Sequence, residues 1–226
     1  MGKHMPRQPR REVMDEPRSA QAYATSDFSE VNQAFVDRLF ELTGPAEVLH
    51  VIDLGTGPGD IPLRILRVRP GWRIVALEAS PPMLDFAKKA AREAGVTTGI
   101  HWFQADAKGS GLPGRTFDVV FSNTILHHIS ETELVWEEVK RVGKRGALVF
   151  FRDLARPATP EDAHRIVETY GGVGPELMRR DYYNSLLAAY TVDEVRAQLD
   201  EAGLDDIEVK RVTDRHWDAF GRLPDK

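Results

Sequence analysis

Two groups of residues in this chain have the types and spacing for chemistry. The first is a glycine series, Gly55, Gly57 and Gly59, inside Val48–Arg64, VLHVIDLGTGPGDIPLR, with Asp53 before it and Asp60 directly after it. Glycines take positive φ readily and let a ligand lie against bare backbone. A helix starting there offers N–H groups with no partner inside the helix. Together these make a cradle for a nucleotide cofactor. Glu78 closes a second apolar run at about the 20-residue spacing at which a strand-end acid accepts ribose hydroxyls; the plainer alternative is a surface glutamate. The second group handles protons. His127 and His128 are adjacent, and imidazole titrates near neutrality, so either is a candidate base. The alternative is that one or both only brace their loop. Adjacent residues point apart, so one of the pair is expected to face a pocket. Asp153 follows another apolar run, where it either reaches the ligand edge of a sheet or pairs with Arg152.

These groups need a frame. The run 48–54 is too short for a helix and suits a strand buried on both faces of a parallel sheet. Ile61, Leu63, Ile65 and Leu66 then give helix-like spacing. Further strands are expected at 73–78, 101–106, 117–123 and 147–151. Helices are expected at 29–42, capped by Asp27 or Ser29, at 81–94, ended by Gly95, and at 130–142, opened by a Ser130-x-x-Glu133 capping box. The segment 155–190 is long for a connection. It carries helices at 161–170 and 175–189, interrupted by Gly171, Gly172 and Gly174, and is expected to cap the carboxyl ends of the strands. Thr191-x-x-Glu194 starts a helix to Ala202. The strands 207–212 and 216–222 have so short a link that they must be antiparallel. The expected fold is α/β: a doubly wound, mostly parallel seven-stranded sheet with an antiparallel C-terminal hairpin and a helical cap insertion. Residues 1–28 are expected to be a flexible arm and possible lid, and 29–226 a single domain. His4-Met5 reads as a cloning junction, with Met5 the native start.

A dinucleotide fingerprint requires G-x-G-x-x-G, and here Asp60 occupies the position of the third glycine. Its carboxylate would repel a pyrophosphate and suit a cofactor with a cationic amino-acid end, which disfavours a nicotinamide dehydrogenase. The stretch resembles motif I of the class I S-adenosylmethionine (SAM)-dependent methyltransferases. The acid-terminated strands ending at Glu78 and Asp106 and the stretch LPGRTFDVVFSN resemble that family's later motifs, in the right order over 48–123. The resemblance implies SAM as cofactor. It implies cofactor-binding residues Asp53, Gly55, Thr56, Gly57, Glu78 and Ala79, with Gly55 and Gly57 on the amino-acid end and Glu78 on ribose. Asp106 and Ala107 are implied for adenine, and Asn123 for the methionine end near the acceptor. Met83 either contacts the adenine or fills the core. The family's segment before the first core helix often folds over the cofactor, so Tyr23 and Phe28 are lid candidates, unless they pack on the sheet edge.

The acceptor pocket is expected between the turn after the fourth strand and the 155–190 insertion, with His128, His127 and Asp153 as catalytic candidates and Tyr182 and Tyr183 as its roof. Arg179 and Arg180 read as a solvated face. The sequence Ser122-Asn123-Thr124-Ile125 is not the Asn/Asp-Pro-Pro-aromatic motif of many enzymes that methylate base amino groups or glutamine side chains. With 226 residues, 42% of them hydrophobic, the chain can bury a full core, and no apolar run approaches membrane-spanning length. The net charge of −5 gives no general drive toward nucleic acid, and the absence of Cys excludes disulfides and thiolate chemistry. No metal is expected. The reading is a cytoplasmic methyltransferase, monomer or homodimer, acting on a small molecule. The alternatives are methylation of RNA or protein, for which the basic N-terminal end is the one argument, and a non-catalytic SAM-binding protein.

Overall fold

The computed structural model describes residues 5–10, 13, 16–171 and 176–225. The expected break at Gly172 and Gly174, the start of the following helix at Pro175, and His4 of the expected junction lie outside the described residues. Seven strands form one sheet in the order β3-β2-β1-β4-β5-β7-β6. They are β1 (His50–Leu54), β2 (Arg73–Glu78), β3 (Ile100–Gln104), β4 (Phe117–Asn123), β5 (Gly143–Leu154), β6 (Glu208–Arg211) and β7 (His216–Arg222). The first five pair parallel to one another; β7 runs antiparallel to both β5 and β6, so six strands share one direction. The expected mostly parallel sheet and terminal hairpin are what the chain forms. The strand order reverses between β1 and β4, which creates the crevice where ligands bind in open α/β sheets.

Side-chain alternation along β1 divides the core. Val51 packs with Phe35, Val36 and Leu39 of α2 (Ser29–Thr43) and Ile61 and Ile65 of α3 (Asp60–Val68). Ile52 and Leu54 turn to the other face, toward Val135, Trp136 and Val139 of α5 (Thr132–Val142) and Val195 and Leu199 of α8 (Val192–Glu201). Helix α4 (Pro81–Glu93) joins β2 to β3. Phe35 stacks on Phe150 with ring centroids 4.6 Å apart, tying α2 to β5.

Some local signals behaved differently from expectation. The helix at 130–142 starts at Thr132 with Glu131 as its N-cap and no side-chain cap, so the Ser130–Glu133 box does not form. The Thr191–Glu194 box does: Thr191 Oγ1 accepts from Glu194 N at 3.2 Å and Glu194 Oε2 from Thr191 N at 2.8 Å. Strand β5 runs to Leu154 because its outer edge pairs with β7 along the whole stretch 148–154. Asp153 is therefore inside the strand, not past it. Helix α1 (Pro17–Ala24) was not foreseen; its one sequence signal is Pro17 at the first helical position.

After β5, α6 (Pro160–Tyr170) and α7 (Glu176–Ala188) form a small core of their own with Leu154. The two ends of this excursion meet, since Ala155 and Tyr190 form an isolated bridge. The segment 5–10, expected to be part of a flexible arm, instead lies against it. Met5 N donates to Ala158 O at 3.2 Å, Gln8 N donates to Leu187 O at 3.0 Å, and Met5 packs into the small core.

Candidate active site

The crevice is built by the loop after β1. Gly55, Gly57 and Gly59 have φ of 78°, 56° and 82°. The three are not equivalent. A Cβ on Gly55 would come within 2.2 Å of Ile125 Cγ2, and one on Gly59 within 2.7 Å of Trp102, whereas one on Gly57 would meet nothing within 4 Å. Two glycines let the loop pack, and the middle one leaves an open cradle. Gly55 N and Thr56 N both donate to Leu77 O, at 2.8 and 2.9 Å, hooking the loop onto β2. Glu78, at the end of β2, accepts from Gly57 N through Oε2 and from Ser80 N through Oε1, each at 2.9 Å. Each carboxylate oxygen keeps acceptor capacity for a hydroxyl. Burial raises the Glu78 carboxyl above its ordinary range, and the backbone N–H groups of Ser80, Gly57 and Ala79 work against that rise.

Asp53 is buried, and its Oδ2 has no hydrogen-bond partner. The Thr56 hydroxyl lies beside it, close enough to favour its charge but outside hydrogen-bond geometry. Burial pushes the Asp53 carboxyl up to about 7, and the nearby Glu78 carboxylate adds to the rise. An acid held in this state is short of a cation.

Asp60 is occupied differently from expectation. Its Oδ2 accepts from Arg64 Nε at 2.6 Å and from Asn32 Nδ2 at 2.9 Å. Its charge is spent on α2 and α3, which leaves Asp53 as the acid of this loop with an unpartnered oxygen. Asn32 Oδ1 also accepts from Asn123 Nδ2 at 3.3 Å, so Asn123 closes β4 against the same network. Asp106 is exposed two residues beyond β3; its Oδ1 accepts from Lys108 N at 2.8 Å. Ala107 is buried in the core beside it, and Met83 is buried in the first turn of α4. Tyr23 on α1 stacks near Phe28 with centroids 4.8 Å apart. Its hydroxyl lies near the Thr124 side chain, which works against the rise that burial imposes on its phenol, and the Glu78 and Asp153 carboxylates add to that rise. Tyr23 thus lies over the carboxyl ends of the strands, not on the lateral sheet edge.

Beyond β4 the chain passes Thr124, a β-branched residue at φ 60°, and enters a single 3-10 turn, Leu126–His128. His127 is buried. Its Nδ1 lies 2.7 Å from Asp153 Oδ1, and its backbone N donates to Asp153 Oδ2 at 3.2 Å. Arg152 leaves Asp153 alone and pairs bidentately with Asp218, at 2.6 and 2.7 Å, so the alternative of an Arg152–Asp153 salt bridge is not what forms. The His128 ring is half-buried against the His127 ring, centroids 4.1 Å apart. Tyr182 and Tyr183 are engaged within the cap. Tyr183 stacks on His164 at 4.4 Å, and Tyr182 packs in the same small core beside Arg215 and Asp214. These contacts replace the roof expected of them: an α7 face toward α6 cannot also face the crevice. Among the described residues, no group of three or more His, Asp or Glu side chains is placed to hold a metal.

A sequence profile described as a methyltransferase domain matches residues 52–151. The release factor glutamine methyltransferase of Chlorobaculum tepidum is 34% identical over 107 residues, 46% of this chain and 36% of that protein. The ubiquinone/menaquinone biosynthesis C-methyltransferase UbiE of an Enterobacter species is 24% identical over 175 residues, 72% of this chain and 69% of that protein. A SAM-dependent methyltransferase from Aquifex aeolicus has the same fold, with TM-score 0.68 at 22% identity over 92% of this chain and 98% of that one. The chain spans about a third of the first of these relatives and about two thirds of the second. Profile, relatives and sheet order agree: residues 52–151 match a methyltransferase domain, and the chain has the fold of SAM-dependent methyltransferases, whose cofactor is S-adenosylmethionine. The residues present fit that cofactor. Asp53 Oδ2 lacks a partner, Gly57 opens a cradle, and Glu78 holds two oxygens ready for a diol.

Proposed function

We propose that this protein transfers the methyl group of SAM to a small-molecule acceptor held beside the Leu126–His128 turn. The observation that carries the proposal is the division of the carboxyl edge. The ends of β1, β2 and β3 carry the cofactor-type groups Asp53, Gly57, Glu78 and Asp106, whereas β4 and β5 end in a buried His127–Asp153 pair that no cofactor group requires. SAM, when bound, supplies a methyl activated on a sulfonium. Asp53 would take the ammonium, Glu78 the ribose hydroxyls, and Asp106 with Ala107 the adenine edge. Asn123 would stand at the boundary with the acceptor.

On the acceptor side, Asp153 fixes the His127 ring through Nδ1 and its backbone through N–H, so His127 acts as a brace. His128, packed on that brace and half-buried, is the group placed to take a proton from the acceptor. Tyr23 and α1 cover the junction and exclude water, which keeps the nucleophile aligned and unsolvated. The sequence Ser122-Asn123-Thr124-Ile125 weighs against base-amino and glutamine acceptors, whatever the relative from Chlorobaculum tepidum acts on. One relative is named for glutamine in a release factor and the other for ubiquinone and menaquinone biosynthesis, and the second supports a small-molecule acceptor without naming it. The reading is completed as a cytoplasmic enzyme, monomer or homodimer, with neither membrane nor nucleic acid as partner. Incubation with SAM and pooled phenols, quinols, amines and thiols, reading S-adenosylhomocysteine release, tests it. Cofactor binding with no release from any pool would leave a SAM-binding protein without transferase activity; salt-dependent RNA binding with methyl incorporation would move the substrate to RNA.

A further inference from the structure

The basic N-terminal segment reads by composition as a solvated tail, yet Arg7 is one of the most heavily engaged side chains in the molecule. Its Nε donates to Ala188 O at 2.7 Å, and its Nη2 donates to Ile129 O at 3.0 Å and to His127 O at 3.2 Å. Its guanidinium lies 4.1 Å from the centre of the Tyr190 ring, and the Tyr190 hydroxyl donates to the same Ile129 O at 2.7 Å. These carbonyls share a problem. Ala188 is the last residue of α7, whose final carbonyls have no partner inside the helix. His127 O and Ile129 O stand at the carboxyl end of the 3-10 turn, which is closed by His128 N to Ile125 O and Ile129 N to Leu126 O, both 3.0 Å. One planar fork serves both carbonyl ends at once, a geometry that a lysine ammonium cannot reproduce.

We propose that Arg7 is a positioning residue for the methyl-transfer site, clamping the carbonyls of the His127–His128 turn while Asp153 clamps its N–H and ring. Asp153 holds the turn from β5 through the His127 ring and N–H; Arg7 and Tyr190 hold it from the cap through its carbonyls. The turn follows Thr124, whose positive φ is unfavourable for a β-branched residue, so its conformation is imposed by such contacts and not by local preference. The segment 5–10 also carries Arg10, which donates to Asp181 O at 3.0 Å and to the Ser185 hydroxyl, so it lies along about two turns of α7. The segment is thereby part of the acceptor half of the site.

The consequence for catalysis rests on the methyl-transfer reading; the clamp itself does not. In Arg7→Ala, hydrogen exchange at the amides of residues 127–129 should quicken about tenfold or more, while the amides of β1 and β2 stay protected. Calorimetry with S-adenosylhomocysteine should change by less than a factor of about three, because Arg7 touches no cofactor group. With an acceptor from the pooled screen, kcat should fall about 10- to 100-fold, as misplacement by about an ångström does. Arg7→Lys should recover little, and millimolar guanidinium added to Arg7→Ala should recover a measurable part of kcat. Unchanged exchange at 127–129 would overturn the clamp with or without a known acceptor. Quickened exchange with unchanged kcat would overturn the positioning role, and absence of turnover in the parent protein would count against the function reading while the exchange measurement still decides the clamp.

Discussion

Replacing Asp53 with Asn tests the cofactor half of the site most sharply, because it changes one atom and predicts two pH signatures. The folded protein holds the Asp53 carboxyl at about 7, against an ordinary 3.8. The folded state therefore keeps a proton from about pH 4 to 7 that the unfolded chain has released, and Asp53 lowers stability progressively as pH rises through that window. Across that window the loss, at about 1.36 kcal/mol per pH unit, reaches about 4 kcal/mol by pH 7. His216 works in the opposite sense: burial, with help from Arg215 and Arg152, lowers it to about 4. Its contribution is present at neutral pH and is lost as pH falls from about 6.5 to 4, so in the parent the two slopes oppose each other. Denaturant unfolding should show the stability difference, Asp53→Asn minus parent, rising by roughly 1.4 kcal/mol per pH unit between about 4 and 7 and flat above. The cost of burying the amide shifts that curve vertically without changing its slope.

The second signature is in binding. If the unpartnered Oδ2 takes the cofactor's ammonium, SAM must bind the ionised acid. Affinity should then rise with pH up to about 7, and binding near pH 6 should release close to one proton, visible as a dependence of calorimetric enthalpy on buffer ionisation. A charge-assisted hydrogen bond of about 1.5–3 kcal/mol is then lost in Asp53→Asn, so affinity at pH 7.5 should drop roughly 10- to 150-fold and the proton release should vanish. Proton release persisting in Asp53→Asn, or affinity within threefold of the parent, would refute the assignment of the ammonium to Asp53.

Four further substitutions test the same geometry. Glu78→Gln, which keeps acceptor capacity on one oxygen for Gly57 N or Ser80 N, should weaken SAM by about tenfold or more in calorimetry; Asp106→Ala should cost less, because the adenine partner at Ala107 is backbone. His128→Ala should lower turnover while SAM affinity stays within about threefold, and unchanged turnover would mean that the nucleophile needs no base from this turn. Phe150→Ala removes a ring with no solvent exposure that stacks on Phe35, and should destabilise the protein by about 3–5 kcal/mol in denaturant unfolding without changing the denaturant dependence.

The cofactor half was legible because its determinants are local. Gly55, Gly57, Gly59 and Glu78 are set by turn geometry and by the end of an apolar run, and both signals survive in sequence order. Their finer roles were not legible. Asp60 fits a cation by type and position, and only the fold reveals that Arg64, one helical turn on, and Asn32, from the preceding helix, already hold it. Asp53 looked like one more member of the motif, and its distinction is that nothing reaches its Oδ2.

The acceptor half depends on contacts between distant residues, and there local reasoning fails in a consistent direction: it assigns exposure to groups that tertiary structure has already used. Tyr182 and Tyr183 have a polar-aromatic pattern that suits a roof, but α7 must cover α6, and that demand turns their rings inward. Asp153 has Arg152 as its nearest charge in sequence, but adjacent residues of a strand point to opposite faces, so Arg152 meets Asp218 of β7 while Asp153 meets His127 from the opposite side of the sheet. Arg7 shows the pattern most strongly. Composition gives a basic residue near a chain end every reason to be solvated, and no periodicity announces that two sets of carbonyls, 120 and 181 residues away, will lack donors. The missing donors become visible only when the hydrogen bonds of α7 and of the 3-10 turn are accounted for group by group.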